Sequence, residues 1–322
     1  MVCERIITMS IFASTLNQLA FLFGFIALGY LLAKIKALPD NSAAVLSKLE
    51  NMIFIPALVM GTFIENFTVQ SLSSAWKLLA VSTIVAIVAI PFAIFVSKAV
   101  TKDKYIQNIY TYGLSFSNFG FMGNAVVKSL FPDIFLEYLI FTLPLWVAIY
   151  LWGVPILLIA DAGKKRTLKE NLKSFVNPMF GAMLVGMIIG ISGISLPAWL
   201  NSLVATAGDC MSPVAMILTG VVVSTISLKK TFTNLRIYIV SIIRLLVMPL
   251  LFILVAWLLK SYYAEIPQTF YVCAVCSLAM PLGLNTIVIP SALGKDTSVA
   301  AGMTVISHLL SCITIPFIFA VM

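Results

Sequence analysis

Long apolar runs dominate the chain, and short polar segments separate them. Because a bilayer crossing needs about 20 apolar residues, this pattern predicts ten membrane-spanning helices. The runs lie near residues 11–33, 43–64, 75–97, 106–130, 134–159, 176–193, 198–226, 235–259, 268–293 and 297–321. The first run is longer than the apolar core of a signal peptide, so we expect it to remain in the protein as a spanning helix.

Two of the predicted spans are interrupted near their centres by residues that disfavour a helix. The fourth contains Ser115-Phe116-Ser117-Asn118-Phe119-Gly120-Phe121-Met122-Gly123-Asn124, and the ninth contains Met280-Pro281-Leu282-Gly283-Leu284-Asn285. A break in lipid leaves backbone groups unpaired, so it survives only where protein buries it or where it lines a cavity. One such break in each half of a chain is typical of the binding site of a secondary transporter.

Lys and Arg side chains orient the predicted spans. Fifteen of the 20 fall in one set of alternate loops, four fall in the other set, and Arg244 lies within a span. The loops rich in Lys and Arg are predicted to be cytoplasmic, which places both termini on the extracytoplasmic side of the cell (plasma or inner) membrane. The longest loop, a basic cytoplasmic linker over 161–174, separates a first five-helix repeat (1–160) from a second (175–322) within one transmembrane domain.

An odd number of spans in each half forces opposite orientations, so an internal repeat must be inverted. Proline spacing supports such a repeat. Pro56 precedes Asn124 by 68 residues, and Pro213 precedes Asn285 by 72. Spans two and seven, and spans four and nine, are therefore predicted to correspond.

The residues around the breaks form the predicted substrate site. The second half-helices are expected to begin near Gly123-Asn124 and Leu284-Asn285, with free N–H groups and positive dipole ends facing the middle of the membrane. Such ends bind an anion without a buried lysine. The predicted substrate-binding residues are Ser117, Asn118, Gly123, Asn124, Pro281, Gly283 and Asn285. Two alternatives remain open: the asparagines only cap their half-helices, and the glycines only allow close helix packing.

Four ionisable residues inside the predicted spans are candidates for coupling or structural charges. They are Glu50, Asp209, Arg244 and His308. A buried arginine needs a partner, and Glu50 or Asp209 is predicted to supply it, as a structural lock or as part of a substrate site. His308 is either a hydrogen-bonded packing residue or a group that couples transport to protons.

Composition excludes several classes of protein. The chain is 61% hydrophobic and 10% charged, unlike a soluble globular domain. Its net charge of +8 follows from basic cytoplasmic loops, so nucleic-acid binding is not predicted. The five cysteines lack a second pair at zinc spacing, and no nucleotide-binding or hydrolase motif appears. We therefore expect no metal site, no cofactor and no enzymatic activity.

The sequence around both interruptions resembles the auxin efflux carrier family of permeases, which includes bacterial malonate or malate permease-like proteins. Matching segments include Asn118-Phe119-Gly120-Phe121-Met122-Gly123, Met280-Pro281-Leu282-Gly283-Leu284-Asn285 and Ser311-Cys312-Ile313-Thr314-Ile315-Pro316. The resemblance implies an all-α, ten-helix inverted-repeat carrier with broken, crossing helices four and nine, similar to bile acid symporters and sodium/proton antiporters. It also implies organic-anion substrates. One departure is Ala125, where the family usually has proline, and it predicts a milder break in span four.

The sequence therefore predicts a secondary carrier that moves a small organic anion, such as a carboxylate, by alternating access. A passive anion channel is the principal alternative, and a membrane sensor or membrane enzyme is weaker. Either H⁺ or Na⁺ could be the coupling ion, and membrane lipid surrounds the protein. Efflux is expected from the resemblance alone. A homodimer is one interpretation of the helix-packing motif Gly186-Met187-Ile188-Ile189-Gly190. Helix packing within one chain explains the motif equally well.

Overall fold

A computed structural model describes residues 2–160, 178–260 and 267–322. Every regular element within these residues is helical, apart from one isolated β-bridge. The elements are numbered α1 (Val2–Lys34), α2 (Ser42–Asn66), α3 (Val69–Ser74), α4 (Trp76–Val100), α5 (Lys104–Ser115), α6 (Asn124–Leu130), α7 (Pro132–Ile159), α8 (Pro178–Ser192), α9 (Ala198–Thr225), α10 (Leu228–Thr233), α11 (Leu235–Leu258), α12 (Gln268–Ala279), α13 (Asn285–Ala292) and α14 (Ser298–Val321). The linker predicted over 161–174 lies outside the described residues.

Six of the described helices are long and apolar enough to cross a membrane, namely α2, α4, α7, α9, α11 and α14. The apolar helices α8 and α12 are shorter. Side chains on α4 show why this chain suits lipid: Ile84, Ile87, Val88 and Phe95 are 59–72% exposed. An apolar surface of this kind is stable against lipid tails rather than water. The prediction of an all-helical, multi-pass membrane protein is confirmed.

The most extensive helix contacts divide the spans into two groups. In the first group, α1 packs on α9, and α2 packs on both α8 and α9. In the second group, α4 packs on α5 and α7, α11 packs on α12 and α14, and α12 contacts α7. The interrupted spans belong to the second group, so their breaks are held by helices on several sides.

The glycine motif in α8 is used within the chain. A Cβ on Gly186 would lie 2.7 Å from the carbonyl oxygen of Met60, and one on Gly190 would lie 2.6 Å from that of Phe63. Both glycines therefore let α8 approach the backbone of α2 closely. The motif gives no support to a homodimer, which stays a prediction.

Candidate functional site

The two sequence interruptions are breaks in the structure, and they meet. Helix α5 ends at Ser115 and helix α12 ends at Ala279. Beyond these ends, Ser117 and Leu282 form an antiparallel β-bridge. The backbone N–H of Asn118 donates to the carbonyl oxygen of Pro281 at 2.7 Å. Each break thus satisfies part of the other's exposed backbone, which is what a break at membrane depth requires.

Gly283 permits this close approach. A Cβ at that position would lie 2.8 Å from the carbonyl oxygen of Phe116, a distance at which backbone must move. Gly283 also accepts a hydrogen bond at 2.9 Å from the hydroxyl of Thr286 in the first turn of α13. The structure therefore gives this glycine a packing role at the crossing itself.

The break in span four lies earlier than the sequence indicated. Helical structure resumes in a π turn at Phe119–Gly123 that leads directly into α6, so the second half begins at Phe119 rather than near Gly123-Asn124. Ala125 lies within α6, after the break. Pairing with Pro281 holds the backbone of Asn118 out of the helix. In span nine, α13 begins at Asn285 as predicted.

Gly123 packs rather than lining a site. A Cβ on it would collide with the hydroxyl of Tyr138 and would lie 3.3 Å from Met280. Tyr138 itself donates to the carbonyl oxygen of Phe119 at 3.2 Å. The packing alternative therefore describes this glycine.

Asn118 is 1% exposed and turns its side chain toward α14. Its Nδ2 lies 3.0 Å from Nε2 of His308, and Nδ1 of His308 lies 2.8 Å from the carbonyl oxygen of Thr304. The carboxamide oxygen of Asn118 is buried without a hydrogen-bond partner in the described part of the chain. No side-chain cap forms at this helix start, so the capping alternative does not describe Asn118.

Asn285 has a comparable arrangement on the other interrupted span. Its Nδ2 donates to the hydroxyl of Tyr112 at 2.8 Å, and its Oδ1 is buried with no hydrogen-bond partner among the residues that the structure describes. Ser117, predicted to offer its hydroxyl to a ligand, donates instead to the carbonyl oxygen of Ser277 at 2.7 Å. Sequence analysis missed Tyr112 and Thr304. Thr304 had a signal, since it lies one helical turn before His308, whereas nothing in the sequence pairs Tyr112 with Asn285.

The predicted pairing of Arg244 with an acid is wrong. Arg244 is 1% exposed and lies in a π turn of α11. Its Nη1 donates to the carbonyl oxygen of Leu114 at 2.8 Å, and its Nη2 donates to that of Ser277 at 3.2 Å. These carbonyls belong to the last turns of α5 and α12, whose C-terminal ends carry partial negative charge. The Arg244 guanidinium thus donates hydrogen bonds to the C-terminal ends of both interrupted helices.

Glu50 and Asp209, the two acids predicted as partners of Arg244, make no ion pair with it. Glu50 is fully buried in the π turn of α2, and both of its carboxyl oxygens lack hydrogen-bond partners among the described residues. Its neighbour Asn51 donates to the carbonyl oxygen of Val288 at 3.2 Å, which ties α2 to α13. Asp209 is exposed on α9. Neither acid serves as the partner of Arg244.

A cavity of about 310 Å³ lies between the two groups of helices. Gly120 and Asn124 from the second half of span four form one wall. The facing walls come from α2 and α9 and include Glu65 and Asp209, while Lys128 lies on the α6 side. The cavity has more acidic than basic side chains. An anion bound there therefore needs backbone N–H groups, amides or an accompanying cation to balance its charge.

A comparison with known protein families decides the class of this chain. A family model described as membrane transport protein matches residues 14–319, nearly the whole sequence. The chain belongs to this family. The match confirms at family level the resemblance to auxin efflux carriers and establishes a membrane transport protein. No individual curated protein matches the chain significantly.

Proposed function

We propose that this family member is a secondary carrier that moves a small organic anion across the cell membrane by alternating access. The observation that carries the proposal is the paired break beside a cavity. Two interrupted helices meet at the bridge between Ser117 and Leu282, and the half-helix that follows the first break lines the 310 Å³ cavity between two helix groups. A relative movement of the groups would open such a cavity to one side and close it to the other.

The arrangement of helix groups also supports an inverted repeat of five spans. The first group takes the first two spans from each half of the chain, α1 and α2 from one half and α8 and α9 from the other. The interrupted spans of both halves lie together in the second group. An inverted repeat of five spans would produce this distribution of spans between the groups. We propose two halves, 1–160 and 175–322, with both termini extracytoplasmic.

Amide groups and helix starts provide the chemistry for an anion. Asn118 and Asn285 stand at the starts of the second half-helices, where N–H groups and the positive dipole end favour a carboxylate. Asn124 follows Asn118 by six residues and lines the cavity. We propose that the three asparagines shape the site, and that the substrate is a mono- or dicarboxylate of the size of malate or malonate.

Charge balance favours coupling to a cation. Glu65 and Asp209 line the cavity with only one lysine among its described lining residues. A proton or Na⁺ that accompanies the anion would offset these negative charges.

Transport by purified protein in lipid vesicles tests the proposal. We would measure uptake of radiolabelled acetate, malonate, malate and indole-3-acetate, with and without a pH or sodium gradient. A carrier gives saturable uptake and accelerated exchange when unlabelled substrate is inside. Linear, non-saturating flux would support a channel instead, and no uptake of any of the four acids would refute the proposal.

Matched asparagine variants test the site. Asn285→Ala is expected to abolish most transport, whereas Asn201→Ala, at an exposed position on α9, is expected to have no effect. Tyr112→Phe removes only the hydroxyl that accepts from Asn285, and so separates loss of this bond from loss of the amide. Full transport by Asn285→Ala would contradict the assignment of the crossing as the site.

A further inference from the structure

The single histidine of the chain lies at the crossing of the interrupted helices. His308 is 2% exposed on α14, and its Nε2 lies 3.0 Å from Nδ2 of Asn118. Its ring also contacts Phe23 of α1 edge to face, with ring centroids 6.5 Å apart. Since α1 belongs to the other helix group, the pair lies where the two groups face each other. Gly120, two residues beyond Asn118, lines the cavity.

Hydrogen-bond chemistry fixes the protonation of this pair. A carbonyl oxygen only accepts hydrogen bonds, so the 2.8 Å contact with Thr304 requires a proton on Nδ1 of His308. Nε2 of the neutral ring is then an acceptor, and it receives a hydrogen bond from Nδ2 of Asn118. This arrangement is costly because the buried Oδ1 of Asn118 then has no hydrogen-bond partner among the described residues.

A proton on Nε2 makes the opposite arrangement the stable one. Both ring nitrogens of the imidazolium donate, and Nε2 then needs an acceptor. A half-turn of the carboxamide supplies Oδ1 to Nε2 and moves the two N–H donors of Nδ2 to the position that Oδ1 had occupied. No donor among the described residues occupies that position next to Oδ1, and an oxygen of a bound carboxylate would satisfy the two N–H groups there.

We propose that His308 and Asn118 form a proton-linked anion site. A proton taken from water onto Nε2 turns the amide, and the freed N–H groups of Asn118 bind a carboxylate at the crossing. Release of the anion returns the amide and lets the proton leave. This inference rests on the proposed carrier function and gives it a coupling ion and a residue that carries that ion.

Charge balance supports joint binding. Titratable side chains described on the helices packed against α14 are Tyr30 and Lys34 on α1, Lys229 on α10, Arg236, Tyr238 and Arg244 on α11, and Tyr271, Cys273 and Cys276 on α12. None of them hydrogen-bonds to or forms an ion pair with His308 among the described residues, and α13 and the packed part of α9 carry no titratable group. A buried imidazolium without a partner is costly. A carboxylate at Asn118 offsets that charge, so proton and anion each favour binding of the other.

Nuclear magnetic resonance of imidazole-¹⁵N histidine in protein without a polyhistidine tag tests the inference directly, because the chain has one histidine. Without ligand at neutral pH, the ring should be neutral with its proton on Nδ1. Saturating malonate or acetate should shift it toward imidazolium. A neutral ring with its proton on Nε2, or an unchanged charge state when either anion is bound, would overturn the proposal.

Transport measurements provide a second test. Apparent affinity for acetate should rise as pH falls from about 8 to 6, by up to about tenfold per pH unit, because one proton accompanies each anion. Methanesulfonate keeps its charge over this range, so competition by methanesulfonate should show the same dependence. His308→Gln keeps an amide for Asn118 but cannot take a proton, and it should flatten the profile. A profile in His308→Gln as steep as that of the wild type would overturn the inference and leave the carrier function intact.

Asn118→Asp gives a test that needs no ligand. Aspartate accepts from Nε2 but has no N–H to offer, so His308 should be imidazolium at neutral pH in this variant and anion transport should be lost. A neutral ring in Asn118→Asp would refute the proton-linked pair. Absence of uptake for every acid in the wild type would refute the carrier function separately. Should His308→Gln fail to fold, the resonance measurement on the unmodified chain and Asn118→Asp decide the question.

Discussion

Arg244 offers the sharpest test of how the crossing is held together. Replacing it with methionine keeps a long apolar side chain and removes the guanidinium that bonds to Leu114 and Ser277. The Ser277 carbonyl keeps its bond from Ser117, but the Leu114 carbonyl loses its side-chain donor. The weaker contact from Nε to the Met280 carbonyl, at 3.4 Å, is lost as well.

These losses set the expected magnitude. A buried acceptor left without a partner costs about 1–3 kcal/mol, so two such carbonyls give about 2–6 kcal/mol. Removing a buried charge offsets part of this cost. Arg244→Lys keeps the charge but loses the planar guanidinium whose two Nη groups donate to separate carbonyls. The stability of Arg244→Lys should therefore fall between those of the wild type and Arg244→Met.

Thermal unfolding in detergent measures the effect. Arg244→Met should lower the midpoint by roughly 5 °C or more, and fluorescence-detected size exclusion should show less folded protein. The control is Arg236→Met, at an exposed position on the same helix, which should change stability by less than about 0.5 kcal/mol. Equal stability of Arg244→Met and wild type would refute the role assigned to this cation.

Three further changes test other parts of the structure. Gly283→Ala should lower both the unfolding midpoint and the transport rate, because the added Cβ meets the backbone of Phe116. The control Gly181→Ala, whose Cβ would have no atom within 4 Å, should be neutral or mildly stabilising. Equal effects of the two variants on thermal unfolding would contradict this packing. Lys295→Met should destabilise the protein by about 1–3 kcal/mol, since Nζ donates at 2.8–3.1 Å to the last two carbonyls of α7 and to that of Ala160 just beyond it. An unchanged midpoint would contradict that cap. Glu50→Gln should fold as stably as wild type or better, because no ion pair is lost, and a clear drop in its midpoint would show that the carboxylate has a partner.

The positions of both breaks can be predicted from the sequence, but the contacts that stabilise them cannot. Proline and glycine at Pro281-Leu282-Gly283 cannot continue a helix, so that interruption was visible locally. In span four, helical structure resumes at Phe119, several residues before the predicted position, directly after the residue whose N–H bonds to the Pro281 carbonyl. A contact between residues so distant in sequence leaves no local signal.

Arg244 shows a second limit of the sequence. Its depth within a span predicts a partner, and the acids Glu50 and Asp209 are the partners that the sequence predicts. The structure supplies helix C-terminal carbonyls instead, and these carbonyls reach one arginine because two helices end at the same place. His308 and Asn118 were both identified as candidates separately, but their contact depends on how α14 packs against the break.

A disulfide between positions 117 and 282 tests most directly whether the interrupted spans cross. Bridged residues in antiparallel strands have Cα atoms about 4.5–5.5 Å apart, within the range that a disulfide spans. In a background without the five native cysteines, Ser117→Cys with Leu282→Cys should cross-link on mild oxidation, so that fragments cut between them stay joined until reduction. Folded protein in which this pair fails to cross-link would contradict the meeting of the two breaks, on which the proposed anion site depends.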